Sequence, residues 1–202
     1  MTLASGMYKI PLVDESGRTI GYGDRWWTHR VRDEPGGPVL GRKHIGITIA
    51  CLDKDGRILV QHRRHRIFDR VWSFSGDTHP RRYGNSRVES LREAARRCAE
   101  EDLGITIRNW SRALSVSYSA RDSHYPRYCE NELLYLLVAK CTGLVQMNKE
   151  NAYELRSVEL AEISRDVRAD LSKEPIDRKY APWVHAVFSL PSGEIEGAFR
   201  PS

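Results

Sequence analysis

Residues 86–105, SRVESLREAARRCAEEDLGI, form the stretch of the chain that decides its fold class. Ser86 and Glu89 have the spacing of a capping box, and Gly104 stands where a left-handed residue commonly ends a helix. The spacing therefore predicts a helix over Ser86 to Leu103. Glu101 and Asp102 fall in its last turn, where positions 98, 101 and 102 share one helix face.

Strand patterns lie on both sides of this predicted helix. They cover Tyr8–Val13, Thr19–Ile20, His44–Leu52, Arg57–Gln61 and Val71–Phe74 before it, and Ile105–Tyr118 and Tyr128–Ala139 after it. Asp24 to Gly41 is rich in Gly, Pro and charge, which predicts a long loop. Two short helices are predicted over Leu160–Leu171 and Ala181–Phe188, followed by a polar tail. This order of elements predicts a mixed α/β (α+β) layered domain.

The composition agrees with one globular domain over residues 1–202, in which the loop 22–43 and the tail 189–202 are least defined by motifs. Hydrophobic residues make up 40% of the 202 and charged residues 29%, which suits a packed core. No apolar run reaches the roughly 20 residues that a membrane span requires. The N-terminal residues have no signal-peptide pattern. We therefore expect a cytoplasmic protein with no membrane partner.

Cysteine spacing and charge exclude several classes of protein. Cys51, Cys98, Cys129 and Cys141 have no CxxC spacing, which argues against a zinc ribbon, a thioredoxin motif and a disulfide framework. The net charge of +5 is compatible with nucleic acid, with an acidic small substrate or with no partner at all. Because the basic residues are dispersed and no aromatic-basic RNA motif is present, we expect no nucleic-acid partner. The oligomeric state is left open.

The acidic helix resembles the signature of the Nudix superfamily. The matching positions are Glu89, Arg97, Glu101, Asp102, Gly104 and Ile105. Carboxylates on this face can hold Mg²⁺ against a diphosphate, whereas a solvated acidic helix face is the alternative. Cys98 replaces the second residue of the Arg-Glu pair, and Tyr83 stands at the leading glycine. One metal carboxylate of a hydrolase is therefore missing, which disfavours nucleotide-diphosphate hydrolysis.

Several ordered segments resemble type I isopentenyl diphosphate isomerase, a family of Nudix fold that moves protons instead of hydrolysing. They are IPLVDESGRTIGYGDRWWTH (10–29), HIGITIACLDKDGRILVQHRR (44–64), VWSFSGDTHP (71–80), RRCAEEDLGI (96–105), CENELLYLL (129–137) and APW (181–183). The resemblance runs from about Tyr8 to Phe188. It implies a Nudix-like arrangement of mixed sheets between helices and a prenyl diphosphate as the small-molecule partner.

The resemblance also implies a metal site. Its ligands would be His29, His44, His79, Glu130 and Glu132. Glu130 and Glu132 are two apart on a predicted strand, so both side chains face one way. Three imidazoles and two carboxylates suit a divalent ion such as Zn²⁺ or Mn²⁺. Asp102 matches the glutamate that holds Mg²⁺ together with the diphosphate.

Further roles follow from the same resemblance. Glu132 would also transfer a proton, Tyr118 would assist the proton-transfer residues, and Trp183 would stabilise a carbocation by its indole face. Basic side chains would bind the diphosphate through charge-assisted hydrogen bonds. The candidates are Arg25, Arg63 and Arg66.

One position departs from the isomerase pattern. The family's catalytic cysteine stands two residues before the histidine that matches His79, and this chain has Asp77 there. An apolar pocket and neighbouring carboxylates raise the pKa of a buried carboxyl group, which can then protonate an alkene. Asp77 is therefore predicted to act as an acid opposite Glu132.

The leading hypothesis is a metal-dependent acid/base enzyme that protonates a C=C bond of a prenyl diphosphate and deprotonates the carbocation. The outcome would be double-bond isomerisation or a protonation-initiated terpene cyclisation. The alternatives are a Nudix-type diphosphate hydrolase and a non-catalytic relative that binds prenyl diphosphate. The chain length of the substrate, C5, C10 or C15, stays open.

Overall fold

The computed structural model describes residues 8–34, 37–107, 109–110, 114–141 and 143–200. Within them the strands are β1 Tyr8–Val13, β2 Thr19–Asp24, β3 Arg32–Glu34, β4 Gly37–Val39, β5 His44–Leu52, β6 Ile58–Arg63, β7 Trp72–Ser73, β8 Gly76–Thr78, β9 Arg82–Tyr83, β10 Leu114–Arg121, β11 Cys129–Lys140 and β12 Ala152–Val158. The α-helices are α1 Arg25–Thr28, α2 Leu91–Leu103, α3 Leu160–Asp170, α4 Pro182–Phe188 and α5 Ser192–Phe199.

A large mixed sheet orders the strands β10-β11-β5-β1-β2, with β8 paired to β5 and β6 paired to β5, β7 and β12. β5 and β11 run parallel, in a register that sets His44 beside Glu132. β10 pairs antiparallel with β11 and sets Tyr118 opposite Glu132. β8 pairs with β5 so that Asp77 lies opposite Thr48. The register of these four strands therefore brings several predicted site residues to one region of the sheet.

Hydrophobic cores cover both faces of the sheet. Residues of α2, among them Ala95 and Leu103, pack against Ile47 and Ile49 of β5. On the other face, Trp183 of α4 belongs to a second core with residues of β5, β11, α3 and α5. The two faces alternate along β5, as the period of a strand requires. This arrangement of helices on both sides of a mixed sheet confirms the predicted fold class.

The central helix begins later than its capping signal predicted. α2 starts at Leu91, because the Ser90 side chain accepts a hydrogen bond from the Glu93 backbone N–H and the Glu93 side chain completes the capping box. The predicted box of Ser86 and Glu89 is wrong, since the Glu89 carboxylate accepts from the Arg81 backbone N–H instead. Gly104 ends the helix at φ 65°, a left-handed conformation that favours glycine, as predicted.

The predicted loop over Asp24 to Gly41 is wrong in part. Asp24 caps the short helix α1 by accepting from the Trp27 backbone N–H, and β3 and β4 follow as a small two-stranded sheet. Residues 35 and 36 of this segment lie outside the described residues.

Two C-terminal elements were also missed. β12 was not predicted, because its alternation is weak and Glu154 and Arg156 pair along its exposed side. The tail is not merely polar, since α5 buries Ile195, Ala198 and Phe199. No helix within the described ranges is long and apolar enough to cross a membrane.

Candidate active site and metal centre

The predicted metal ligands form one buried cluster at the ends of several elements. His29 caps the C-terminus of α1, His44 opens β5, His79 follows β8, and Glu130 and Glu132 lie on β11. Each of the five offers one ligand atom, and these atoms all lie within 4.8 Å of one another. All five side chains are buried. The backbone register therefore assembles the set that the sequence resemblance implied.

Hydrogen bonds fix the orientation of two imidazoles. His29 Nδ1 lies 2.6 Å from the Arg25 carbonyl oxygen, and His44 Nδ1 lies 2.8 Å from the Arg42 carbonyl oxygen. Because a carbonyl oxygen only accepts, both Nδ1 atoms donate. In a neutral ring the Nε2 atom is then an acceptor that faces the cluster. Outward Nδ1 donation to a carbonyl is the usual support of a metal-bound histidine.

In neutral rings of this tautomer, the inward Nε2 atoms are acceptors, and they face carboxylate oxygens that are also acceptors. His29 Nε2 lies 3.0 Å from Glu130 Oε2, and His44 Nε2 lies 3.3 Å from Glu132 Oε1. His79 Nε2 is 3.2 Å from the same Glu132 oxygen. His44 Nε2 and Glu130 Oε2 are buried and have no hydrogen-bond partner among the described residues. Such an arrangement fits a divalent cation between the imidazoles and the carboxylates.

The pKa values of two histidines in the cluster also reflect the negative charge of the two carboxylates. Burial opposes the charged form of His44, but its contacts with Glu130 and Glu132 raise the pKa of His44 to about 10. Burial, together with the charges of His29 and His44, lowers the pKa of His79 to about 3 in spite of its contact with Glu132. Two buried carboxylates thus demand a positive charge, which a proton or a metal ion can supply.

Asp77 lies on β8 beside this cluster, and donors surround its carboxylate. Thr48 Oγ1 donates to Oδ1 at 2.8 Å, and Ser73 Oγ donates to Oδ2 at 2.8 Å. Arg63 Nη1 donates to Oδ2 at 3.2 Å. Burial raises the pKa of Asp77, and the charge of Arg63 opposes that rise. Burial therefore raises the pKa of Asp77 as the sequence predicted. The opposing charge of Arg63 at this position was not predicted.

Trp183 is tied to Asp77 through a serine. Its indole Nε1 donates to Ser73 Oγ at 2.7 Å, and Ser73 in turn donates to the carboxylate. On the opposite side, the Tyr118 hydroxyl donates to Glu132 Oε2 at 2.8 Å. Asp77, Glu132, Tyr118 and Trp183 all line one space, whose volume is about 20 Å³. The predicted proton-transfer residues therefore share one small enclosure.

A polar cavity of about 510 Å³ adjoins this enclosure, and Asp77, His79, Arg25 and Arg63 line both. The cavity is further lined by Arg64, Arg81, Cys98, Glu101, Asp102, Asn148 and Asn151, among others. The lining combines four arginines, whose donors suit phosphate oxygens, with four carboxyl groups, which suit Mg²⁺. The cavity is therefore suited to a polyanion that binds together with a cation.

Asp102 projects from α2 into this cavity. Asn151 Nδ2 donates to Asp102 Oδ1 at 2.7 Å, and the Cys98 thiol lies 3.4 Å from Oδ2. Burial raises the pKa of Asp102 to about 6, in spite of these two hydrogen bonds. A buried carboxylate with a raised pKa gains when a cation binds it. Asp102 thus fits the predicted Mg²⁺ position.

The other acids of the helix signature are held in ion pairs. Arg97 donates to both oxygens of Glu89 at 2.9 Å. Arg81 makes a bidentate pair with Glu101 at 2.9 and 3.0 Å. With Cys98 at the remaining signature position, Asp102 is the signature carboxylate that contacts neutral groups instead of arginine. The hydrolase arrangement of several carboxylates around one metal is therefore weakened here.

The three arginines that were predicted to contact a diphosphate do not all lie at the polar cavity. Arg25 and Arg63 line the polar cavity, and Arg25 Nη2 donates to His65 Nε2 at 2.9 Å. Arg66 instead lies over the Trp26 ring at 4.9 Å and donates to the Tyr128 hydroxyl at 3.3 Å. Arg66 is not among the residues that line either space. Its contact with a diphosphate stays a prediction.

Sequence reasoning missed several neighbours of the predicted site. Arg64 and Arg81 line the polar cavity, and Asn151 holds Asp102. Thr48 and Ser73 hold Asp77. Thr48 carries a usable signal, since it is a polar residue among the apolar residues that follow His44 in β5. Asn151 carries none, because it follows the segment after β11 without any motif.

Comparison with known proteins identifies the domain. The family model described as NUDIX domain matches residues 42–184, well over half of the chain. Among curated proteins, no sequence match is found.

Two similar solved structures illustrate the fold. DR0079 from Deinococcus radiodurans has a TM-score of 0.58 at 12% identity, over 90% of this chain and 97% of that one. A MutT protein from Methanosarcina mazei has a TM-score of 0.53 at 16% identity, over 77% of this chain and 95% of that one. At these identities the likeness concerns the fold.

Proposed function

The chain belongs to the Nudix family, and from this premise we propose that it is a metal-dependent acid/base enzyme acting on a prenyl diphosphate. One observation carries the proposal. Asp77 and Glu132 line a single enclosure with Trp183, and Glu132 is at the same time part of the five-residue cluster. Two carboxyl groups beside an indole face are suited to giving a proton to a hydrocarbon and taking one from it.

The diphosphate would bind in the polar cavity. Arg25, Arg63, Arg64 and Arg81 line it and can donate charge-assisted hydrogen bonds to phosphate oxygens. Mg²⁺, when bound at Asp102, would neutralise part of the charge of the diphosphate. The hydrocarbon would then extend from this cavity into the enclosure between Asp77 and Glu132.

The proton steps balance with these two groups. The Asp77 carboxylic acid would break its O–H bond and form a C–H bond at the alkene, leaving a tertiary carbocation. The Trp183 indole, held by Ser73, would stabilise that cation by its face. Glu132 would then take a proton from a neighbouring carbon and close a new double bond. In a longer prenyl chain, a second double bond could attack the cation first and form a ring.

The experiment is product analysis with C5, C10 and C15 prenyl diphosphates, Mg²⁺ and deuterated water. We expect deuterium in the recovered substrate or product, or a new hydrocarbon skeleton. Asp77→Asn should abolish this turnover while the metal content stays unchanged. No deuterium and no new skeleton from any of the three substrates would refute the reaction.

Hydrolysis of a diphosphate is the second candidate, and the comparisons with known proteins favour it over isomerisation or cyclisation. The family match is to the Nudix domain, and one similar structure is a MutT protein. Glu101 and Asp102 of the helix signature line the polar cavity. Against it stand Cys98 at a metal-carboxylate position and the ion pairs of Glu89 and Glu101.

The two candidates predict opposite sensitivities. Phosphate release from nucleotide or prenyl diphosphates that is lost in Asp102→Asn but kept in Asp77→Asn would establish the hydrolase. Turnover in deuterated water that is lost in Asp77→Asn, without phosphate release, would establish the acid/base enzyme. Binding of a prenyl diphosphate without either reaction would identify a non-catalytic relative.

A further inference from the structure

The guanidinium of Arg63 lies between the two groups that a substrate carbocation would need. Its Nη1 is 3.2 Å from Asp77 Oδ2, and its Cζ lies 5.0 Å from the centroid of the Trp183 ring. A cation is favoured at such a position, because a carboxylate and an indole face both attract positive charge. Arg63 therefore marks the place of a positive charge inside the enclosure.

This guanidinium is buried and incompletely satisfied. The Arg63 side chain is 9% exposed, and its Nε has no hydrogen-bond partner among the described residues. An arginine has five N–H donors in a planar fork, and a buried donor without a partner costs free energy. Arg63 thus has donors left over for a better acceptor than the single Asp77 oxygen.

Arg63 lies between a small enclosure and a much larger polar cavity. The enclosure beside Asp77, Glu132 and Trp183 measures about 20 Å³, which is space for about one water molecule. The polar cavity measures about 510 Å³. Arg63 lines both. With the Arg63 guanidinium over Trp183, the space beside Asp77 and Glu132 is too small for a prenyl chain.

We propose that Arg63 occupies the carbocation position until a diphosphate binds in the polar cavity, and that its guanidinium then leaves Asp77 for the phosphate oxygens. This inference rests on the proposed function. It adds that the diphosphate opens the hydrocarbon space as well as anchoring the substrate. Arg63 is thus a positioning residue that makes the site selective for diphosphates over the corresponding alcohols.

The exchange is favourable on simple chemical grounds. A diphosphate carries more negative charge than one carboxylate and offers oxygen pairs that match the guanidinium fork. Asp77 keeps its hydrogen bonds from Thr48 and Ser73 when Arg63 leaves. The Asp77 carboxylate and the polar cavity both adjoin the Arg63 side chain. A change of the Arg63 rotamer is therefore sufficient for the exchange.

Binding measurements test the coupling directly. Titrate the protein with inorganic diphosphate and Mg²⁺, and separately with 3-methylbut-3-en-1-ol, in the presence and absence of diphosphate. In the natural protein, diphosphate should tighten alcohol binding by about 5- to 150-fold, the usual range of coupling between sites. Arg63→Met should bind the alcohol without help, lose the coupling and bind diphosphate about tenfold or more weakly.

Arg64→Met is the matched control. Arg64 lines the same cavity, but its Nη1 donates to the Lys149 carbonyl oxygen, and among the described residues the side chains that bond to Asp77 do not include it. It should weaken diphosphate binding yet keep the coupling. If Arg63→Met leaves Asp77 too poorly compensated to fold, the double variant Arg63→Met/Asp77→Asn restores neutrality and should show the same loss of coupling. Unchanged coupling in a folded Arg63 variant would overturn the proposal.

If the alcohol binds neither the natural protein nor any variant, a crystal structure with Mg²⁺ and inorganic diphosphate tests the proposal instead. Arg63 on the diphosphate supports the exchange. Arg63 still on Asp77, or a polar cavity without diphosphate, contradicts it. These outcomes are separate from turnover in deuterated water. An inactive protein in which Arg63 moves would reject the reaction alone, and an active protein in which it stays would reject the exchange alone.

Discussion

Tyr118 and Glu132 face each other across β10 and β11, and the Tyr118 hydroxyl donates a 2.8 Å hydrogen bond to Glu132 Oε2. The other oxygen of Glu132 faces His44 and His79. One carboxylate therefore joins the five-residue cluster to a phenol. Burial, followed by the charges of Glu132 and Glu130, raises the pKa of Tyr118 well above its usual value. The phenol thus keeps its proton and acts as a donor to Glu132.

Tyr118→Phe should lower turnover of a prenyl diphosphate by about 10²-fold, because Glu132 loses the donor that orients it and that can exchange a proton with it. Metal content should stay unchanged, since Tyr118 is not a ligand. The measurement is the steady-state rate together with elemental analysis. Tyr153→Phe is a matched control, because its hydroxyl contacts Asp69 outside the site. Full activity of Tyr118→Phe would remove this phenol from the mechanism.

The strand pattern and the family resemblance named most of the side chains that the structure brings together in the candidate site, for physical reasons that are visible in β11. Glu130 and Glu132 are two apart, and a strand sets such residues on one face. β1 and β5 have the predicted bounds, because their apolar runs are bordered by turn residues. Two capping boxes compete at α2, with Ser86 and Glu89 matching as well as Ser90 and Glu93. The choice depends on Glu89 being taken by Arg81 and Arg97.

The contacts of Asp77 could not be predicted in this way. Its partner Arg63 lies on a different strand, and the ion pair depends on how β6 and β8 are set against β5. Spacing along the chain holds no information on such a pairing. For the same reason Arg63 and Arg66 looked equivalent in the sequence, although one points to Asp77 and the other packs on Trp26.

Removal of the metal should destabilise the folded protein, because only protonated histidines such as His44 would then compensate the buried charges of Glu130 and Glu132. A chelator should lower Tm, and a metal at 100 times its Kd should restore about 2.7 kcal/mol. His44→Ala should lose the bound metal, measured by elemental analysis. In His62→Ala the metal should stay, since His62 stacks on Trp72 away from the cluster. Equal metal content in the two variants would rule out His44 as a ligand.

His65 should make the protein sensitive to acid. Burial, helped by the charges of Arg63 and Arg25, lowers the pKa of His65 from 6.5 to about 2. His65 Nε2 accepts a hydrogen bond from Arg25. A proton on Nε2 would therefore face the N–H donor of Arg25 and break this hydrogen bond. The unfolded chain binds a proton below pH 6.5 and the folded protein does not. The contribution of His65 is therefore fully present above pH 6.5 and is lost as pH falls toward 2.

His65→Gln should remove this component. Urea unfolding at about pH 7 and pH 5 should show a loss of stability that is smaller in His65→Gln than in the natural protein, by up to about 2 kcal/mol. His124→Gln replaces an exposed histidine and should leave the loss unchanged. The idea fails if His65→Gln and the natural protein lose stability equally between the two pH values.

Gly46→Ala should disable the metal centre through a single methyl group. A Cβ at Gly46 would overlap the Glu132 carboxylate, which crosses β5 at this point. The carboxylate cannot easily move aside, because His79 and Tyr118 hold its two oxygens. We expect metal content and turnover to fall together, with a lower Tm. Gly21→Ala is the matched control, since a Cβ there meets no heavy atom within 4 Å, and its stability should change by no more than about 0.5 kcal/mol. Full metal content and normal turnover in Gly46→Ala would mean that Glu132 is free to leave this position without loss. That result would contradict the proposed double role of Glu132 as ligand and base.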